Sequence, residues 1–388
     1  MTKIGLSGTG FIARGMYGVI ESTPDLSVSR ILTRRPVAAS APTFPEEKLT
    51  NAVEDLVDGC DIVVECSGDA LHAAHVLQAA GEAGRPAITM NSEAQVTIGS
   101  GLVRRGYQLT EAHGDQPGCL AELDAEAREM SFTPLAYVNL KGFLNENPTP
   151  EDMEYWGTKQ GLSLQQVTSF TDGSKLQIEQ VLVANGLGAR LAKPGLIGGK
   201  VEDLRELDYL AEAARATGAA ISDYVLNPGG PPGILLLCES AVADTAEGYM
   251  PLTRLKTKGD TAYVILRPHH LCHLEIVKTI RSVLRGDPPL LTNGTNPVAL
   301  AAAIVKQPLG AGHVFAKAVG GFDIRASAFE FADAPDAVPA NLLDGAQLKH
   351  AVEPGHVLTW ADLDVPDSLA LTLWLEGTRE PMAAGRVA

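Results

Sequence analysis

Six residues, Gly8-Thr9-Gly10-Phe11-Ile12-Ala13, constrain the fold of this chain more than any other stretch. Ile4 to Ser7 before them reads as a short buried strand. Phe11 to Glu21 reads as a helix, with Phe11, Ile12, Met16, Val19 and Ile20 on one apolar stripe. A strand, a Gly-x-Gly-x-x-Ala turn and a helix make up the dinucleotide-binding fingerprint. Gly8 permits the tight turn, Gly10 lets a pyrophosphate approach the backbone, and Ala13 allows helix and sheet to pack closely. The helix N-terminus turns free N–H groups and a positive dipole end toward the phosphates, so Thr9, Phe11 and Ile12 join the two glycines as candidate cofactor contacts.

The next hundred residues alternate strand and helix, as a doubly wound domain requires. Leu26–Thr33 is the second expected strand. A dinucleotide fold often ends that strand with an acid for the adenosine ribose 2′-hydroxyl, but here it runs into Arg34-Arg35 with no acid. Two guanidinium groups suit a 2′-phosphate, so NADP(H) is expected in preference to NAD(H). The buried strand through Glu65 closes in Cys66-Ser67-Gly68, where a nicotinamide would rest. Pro86–Met90 is a further strand ending in Asn91-Ser92-Glu93. Cys66, Ser67, Gly68, Asn91 and Glu93 are therefore candidate cofactor residues.

The length of 388 residues suits two or three domains, and a formal net charge of −16 disfavours nucleic acid and anionic membranes as partners. Five scattered cysteines with no Cys-x-x-Cys pair, no signal peptide and no apolar run long enough for a bilayer lead to the expectation of a cytoplasmic protein. The expected division is a dinucleotide-binding domain over 1–115, a central α+β substrate domain over 116–295, a small β-rich module over 296–378 and a tail over 379–388.

In the central region, Thr149-Pro150 and Ser163-x-x-Gln166 are helix starts. Apolar spacing from Leu176 onward marks another helix, with Asp172 as its expected N-cap and Lys175 in its first turn. A cation there opposes the helix dipole, and a residue that breaks a local rule is a candidate for function. The dipole and partial burial are expected to lower the Lys175 pKa into the range of a proton donor, and Lys175→Met is expected to leave stability intact. The alternative is a solvated lysine paired with Glu179. Further on, Arg267-Pro268-His269-His270-Leu271-Cys272-His273-Leu274-Glu275 could ligate a metal, but it lacks a second ligand pair. No metal is assigned, and Arg267 and His270 are read as anion-binding residues.

The last region contains an echo: residues 304–315 and 347–358 each form a strand, a glycine turn and a short strand. The fingerprint, the Asp61–Gly68 strand with its Glu65 and closing Ser67-Gly68, and the Asn91-Ser92-Glu93-Ala94 segment resemble homoserine-dehydrogenase-like oxidoreductases. Gly114-Asp115-Gln116-Pro117-Gly118, Thr171-Asp172-Gly173-Ser174-Lys175, Arg267-Pro268-His269-His270-Leu271 and the two C-terminal glycine turns resemble the branch that carries a C-terminal SAF (antifreeze-like) domain and includes 1-deoxy-xylulose 5-phosphate reductoisomerase-like enzymes. One departure is Asn91-Ser92, where homoserine dehydrogenases carry Asn-Lys. The resemblance implies Lys175 as proton donor and Lys141 as a second pocket lysine. It also implies an NADP-dependent enzyme acting on a small polar carbonyl or hydroxyl substrate, with Asp172, Arg267 and His270 in the site, and a homo-oligomer. Two alternatives stay open. One is a reductoisomerase of a ketose phosphate, which would need a divalent metal and carboxylates such as Asp172, Glu179 and Glu275. The other is a non-catalytic protein that binds a cofactor or carbohydrate.

Overall fold

The computed structural model describes residues 1–41, 43–246 and 249–378. The expected tail, 379–388, lies outside the described residues. Six strands, β1 (Thr2–Ser7), β2 (Leu26–Leu32), β3 (Leu49–Thr50), β4 (Ile62–Glu65), β5 (Ala87–Thr89) and β6 (Leu109–Glu111), form a parallel sheet in the order β3-β2-β1-β4-β5-β6. Their near-continuous apolar runs follow from burial on both faces. The helix Phe11–Glu21 buries Ala13, Met16 and Ile20, and the helix Ala70–Glu82 packs Ala73, Ala74 and Leu77 into a second core. This is a doubly wound Rossmann domain.

A second sheet joins β7 (Thr133–Lys141), β8 (Ile221–Leu226), β9 (Ile234–Glu239) and β10 (Tyr263–Arg267) in the order β10-β9-β7-β8. It is mixed: β7 and β8 run parallel, whereas β9 is antiparallel to both β7 and β10. Thr149 caps the helix Pro150–Gln160, and Ser163 with Gln166 closes a capping box on Leu164–Thr171, as the spacing predicts.

The helix Ser174–Leu187 is buried on nearly every side. Ile178, Val181, Leu182 and Ala184 pack into the core of a C-terminal β-rich part, and Val183 packs with Cys119, Leu120 and Tyr137 in the opposite direction. In that C-terminal part, β11 (Ala299–Val305) pairs antiparallel with β12 (Ile324–Glu330), and β13 (Gln347–Leu348) with β14 (Leu363–Asp364). The two echoed segments pair with each other: Leu309 bridges Val352, and Val314 bridges Gln347. The β12 backbone is tied to the central helix, with Ala326 N donating to Ser174 Oγ at 2.9 Å and Ala328 N to Gln177 Oε1 at 2.9 Å.

Two helices from the expected central and C-terminal regions pack against the first domain. Ile276 and Ile280 of the helix Ile276–Arg285 pack beside Ala13 and Met16, against the first sheet. The C-terminal helix Leu369–Thr378 packs Leu373 and Trp374 beside Ile98 and Leu102, also in the first domain. Sequence periodicity reports that a helix has an apolar face, not which sheet receives it.

The contact of the C-terminal helix depends on glycine. A Cβ on Gly101 would lie 2.2 Å from the Leu373 carbonyl oxygen, whereas one on Gly18 would meet nothing within 4 Å. Gly101→Ala is expected to destabilise the chain by about 1–3 kcal/mol. Gly18→Ala is expected to raise stability by about 0.4–1 kcal/mol. Urea unfolding measures both, and wild-type stability in Gly101→Ala would contradict this seating of the helix.

Candidate active site

The fingerprint turn has the expected geometry. Gly8 has φ +125°, and a Cβ there would sit 3.1 Å from the Cys66 carbonyl oxygen, so β1 and β4 approach closely only with glycine at this point. Gly10 faces open space, with nothing within 4 Å of a Cβ position. Thr9, Phe11 and Ile12 surround the start of the helix, and Cys66, Ser67 and Gly68 follow the neighbouring strand. The buried Ser7 and Ser67 hydroxyls have no hydrogen-bond partner among the described residues. Beside the turn, a cavity of about 700 Å³ is lined by Thr33, Arg34, Arg35, Asn51, His72 and His75. These features fit a dinucleotide: backbone N–H groups and open space for the pyrophosphate, and cations for the adenosine end.

No acid stands at the end of β2, but Asp69 reaches Arg34 from elsewhere. Its carboxylate accepts from Arg34 Nη1 at 2.6 Å, arriving from the turn after β4 rather than from the end of β2. The Arg35 guanidinium has no carboxylate partner among the described residues.

The next residues along the strand ends position the chemistry. Glu65, wholly buried, accepts from Ser67 N at 2.8 Å and Asn91 Nδ2 at 3.0 Å. Its carboxyl is raised by burial, against the pull of those hydrogen bonds. Asn91 in turn caps Ser92–Ala94, with its Oδ1 accepting Ala94 N at 3.1 Å. This aims Ser92 and Glu93 at the start of the central helix. Lys175 Nζ lies 3.0 Å from Glu93 Oε2, 3.4 Å from Ser92 Oγ and 4.0 Å from Glu179 Oε1. Ser92 Oγ also donates to Asp115 Oδ2 at 3.4 Å.

A second lysine lies on the far side of Glu179. Lys141, at the end of β7, donates to Gln116 Oε1 at 2.6 Å and lies 3.5 Å from Glu179 Oε2. Gln116 Nε2 donates to Asn139 Oδ1 at 2.7 Å, and Asn139 Nδ2 donates to Glu179 Oε2 at 2.9 Å. The structure thus joins Lys175, Lys141, Glu93 and Glu179 with Ser92, Asp115, Gln116 and Asn139. Sequence reading placed Asp115 and Gln116 only in a resembling motif and missed Ser92 and Asn139 as site residues. Asn139 and Lys141 alternate on one strand, which is the local signal that both reach one face.

Three expectations change. The N-cap of the central helix is Gly173, in the left-handed region at φ +84°, not Asp172. Asp172 is buried elsewhere, accepting from Ser174 N at 2.9 Å and pairing with Lys306 at 3.0 Å. The Lys175 pKa is raised, not lowered. Burial opposes the charge, but the Glu93, Asp115 and Glu179 carboxylates outweigh both burial and the helix dipole. Arg267 is held by two carboxylates, Glu122 at 2.7 Å and Glu275 at 2.6 Å, and is not free for an anion.

His270 does approach the site. Burial, then the Lys141 charge, lowers its pKa, and Asp115 and Glu179 oppose them. Of its neighbours in sequence, Cys272 stays beside it, Sγ 3.5 Å from His270 Nδ1, whereas His273 packs edge-on to Phe11 at 5.6 Å. Among the described residues, no three His, Cys, Asp or Glu side chains are grouped to hold a metal.

With this geometry in view, comparisons with known proteins bear on the activity. Residues 8–116 match the family described as homoserine dehydrogenase, NAD binding domain, and residues 114–276 match oxidoreductase DRL, catalytic domain. The chain is an NAD(P)-dependent oxidoreductase. No curated protein matches its sequence. Among solved structures, this oxidoreductase is similar to UDP-N-acetylglucosamine 3-dehydrogenase from Acidithiobacillus ferrooxidans, at 11% identity and TM-score 0.42, covering 75% of this chain and 92% of that one. It is also similar to biliverdin reductase from Synechocystis sp. PCC 6803, at 12% identity and TM-score 0.40, covering 74% and 92%. No helix among its described residues is long and apolar enough to cross a membrane.

The ion cluster reverses the expected effect of removing Lys175. Relief of the dipole penalty is a few tenths of a kcal/mol. Leaving Glu93 and Glu179 without their cation costs more, so Lys175→Met is expected to lower stability by about 3–5 kcal/mol. Because the folded pKa lies above the ordinary 10.5, the stabilisation is complete below pH 10.5 and is lost only as pH rises through the folded value. Denaturant unfolding of both proteins from pH 6 to 9 is expected to show a constant gap. A gap that closes within that window would contradict a permanently charged Lys175.

Proposed function

We propose that the chain transfers hydride between NADP(H) and the carbonyl or hydroxyl carbon of a small polar substrate, with Lys175 as proton donor to the substrate oxygen. The cofactor supplies the hydride. The observation that carries the reading is the convergence of two lysines on Glu179 beside Ser92 and Glu93, next to the residues that line the expected nicotinamide position.

The side chains divide the work by their hydrogen-bonding capacity. Lys175, kept protonated at neutral pH by its carboxylates, is matched to an alkoxide, whose basicity is high, and stabilises the oxygen's developing charge as it gives it a proton. Ser92 Oγ accepts from Lys175 and donates to Asp115, a hydrogen-bonded path along which a proton taken up from solvent would reprotonate the amine. Lys141, Gln116 and Asn139 present a cation and two amides for polar groups on the substrate, and neutral His270 adds a ring nitrogen. A sugar-derived or phosphorylated substrate suits such a lining. The likeness to the branch with a SAF domain, a substrate domain centred on 116–295 and a homo-oligomeric state belong to the same proposal.

The reductoisomerase reading has one supporting observation. Glu179 is in the site, near Glu93 and Asp115, but these carboxylates are engaged by Lys175 and Ser92 and are not grouped to hold a metal. Its other nominated carboxylates, Asp172 and Glu275, are tied to Lys306 and Arg267. A rearranged carbon skeleton in the product would favour it over simple hydride transfer.

Lys175→Arg tests the proton donor more cleanly than Met, because arginine keeps the charge between Glu93 and Glu179 but does not release a proton. On whichever hydroxy acid, amino alcohol or ketose phosphate the wild type turns over, Lys175→Arg is expected to lower kcat by about 10²–10⁴ and to leave folding stability within about 1 kcal/mol of wild type. Unchanged kcat would refute the proposed role. For the cofactor, fluorescence titration is expected to show tighter binding of NADPH than NADH, and equal affinities would refute that preference.

A further inference from the structure

The Arg34–Asp69 pair has a consequence for cofactor choice, and this inference rests on the NADP(H) reading above. Arg34 follows β2 and Asp69 follows β4, the strands on either side of β1. Their ion pair therefore reaches over the C-terminal end of β1, across the crevice where a dinucleotide crosses such a sheet. Asp69 Oδ1 is committed to the helix Ala70–Glu82, accepting His72 N at 3.0 Å. Its Oδ2 meets Arg34 Nη1 at 2.6 Å and, at 4.0 Å, Lys317 Nζ from the C-terminal β-rich part. Lys317 is held there by Asp344, whose Oδ1 also accepts Ala318 N at 2.8 Å.

An adenosine 2′-phosphate and Asp69 are alternative anionic partners for the same guanidinium. Arg34 is the guanidinium that both lines the 700 Å³ cavity and is engaged by a carboxylate. If the phosphate takes Arg34, Asp69 loses its nearer cation and keeps Lys317. We propose that Asp69 is a specificity-determining residue that competes with the 2′-phosphate for Arg34, and that Lys317 moderates this competition by neutralising Asp69 when Arg34 leaves. The C-terminal part thereby takes part in cofactor selection without touching the cofactor. Burial opposes the Asp69 charge, but the His72 N–H, Lys317 and Arg34 outweigh it and hold the carboxyl below its ordinary range, so the competitor is anionic at neutral pH.

The test is fluorescence titration of the full chain with NADPH and NADH, in wild type, Asp69→Asn, Lys317→Met and the double variant. Asparagine keeps the N-cap, so the helix start survives, and Asp69→Ser is a second capping variant should Asn not fold. Asp69→Asn is expected to raise the NADPH-to-NADH affinity ratio by about tenfold, since a charged competitor for Arg34 is gone. Lys317→Met is expected to lower the ratio, and the double variant is expected to match Asp69→Asn. An unchanged or lower ratio in Asp69→Asn overturns the proposal. So does a double variant whose ratio falls below Asp69→Asn as far as Lys317→Met falls below wild type, because Lys317 would then act on the phosphate directly. Wild type that binds neither nucleotide refutes the cofactor reading itself. Wild type that prefers NADPH, with no response to Asp69→Asn, refutes only this inference.

Discussion

A lysine ammonium is stable inside a protein only where carboxylates surround it, and Lys175 meets that condition with groups from separate parts of the chain. Glu93 comes from the end of the Rossmann sheet, Glu179 from the next turn of the lysine's own helix, and Asp115 from the turn after β6. The helix that carries Lys175 is packed on one side by the C-terminal strands and on the other by Cys119, Leu120 and Tyr137. Position and charge of the lysine are thus fixed together. A shift of that helix would separate the ammonium from Glu93, and the electrostatic cost would resist the shift.

The same economy of partners runs through the neighbouring polar groups. Glu179 serves two lysines and an amide, and Gln116 and Asn139 exchange hydrogen bonds while each holds a charged neighbour. Networks of this kind raise the cost of any unpaired member. Glu111, wholly buried, shows the opposite situation: burial and then the Asp115 charge push its carboxyl well above the usual range.

Local features were legible in the sequence because their causes are local. Gly8, Gly10 and Ala13 announce the turn, Thr149 and Ser163 announce their helices, and the misfit of a cation in a first turn singled out Lys175. Apart from the N-cap of the central helix, what escaped was a partner from far along the chain. Lys306, 134 residues beyond Asp172, removes that carboxylate from the site, and Glu122, 145 residues before Arg267, occupies the guanidinium expected to bind substrate. Asp69 reached Arg34 in the same way, from a different strand end. The direction of the Lys175 shift could not be read from its helix alone, since the dipole and Glu179 are local but Glu93 and Asp115 are not.

The return of the C-terminal helix has a mechanical meaning. Leu373 seats on Gly101, and Gly377 lies close to Ser100, so the chain that leaves the Rossmann domain comes back and closes on it. A cofactor domain attached at a single crossing swings freely about that point. Here the first domain is held at residues 112–116, again through Ile276–Arg285, and a third time by Leu369–Thr378. Three attachments oppose rotation about a single hinge, so small sliding of packed helices, shear rather than hinge, is the motion this packing leaves to the first domain.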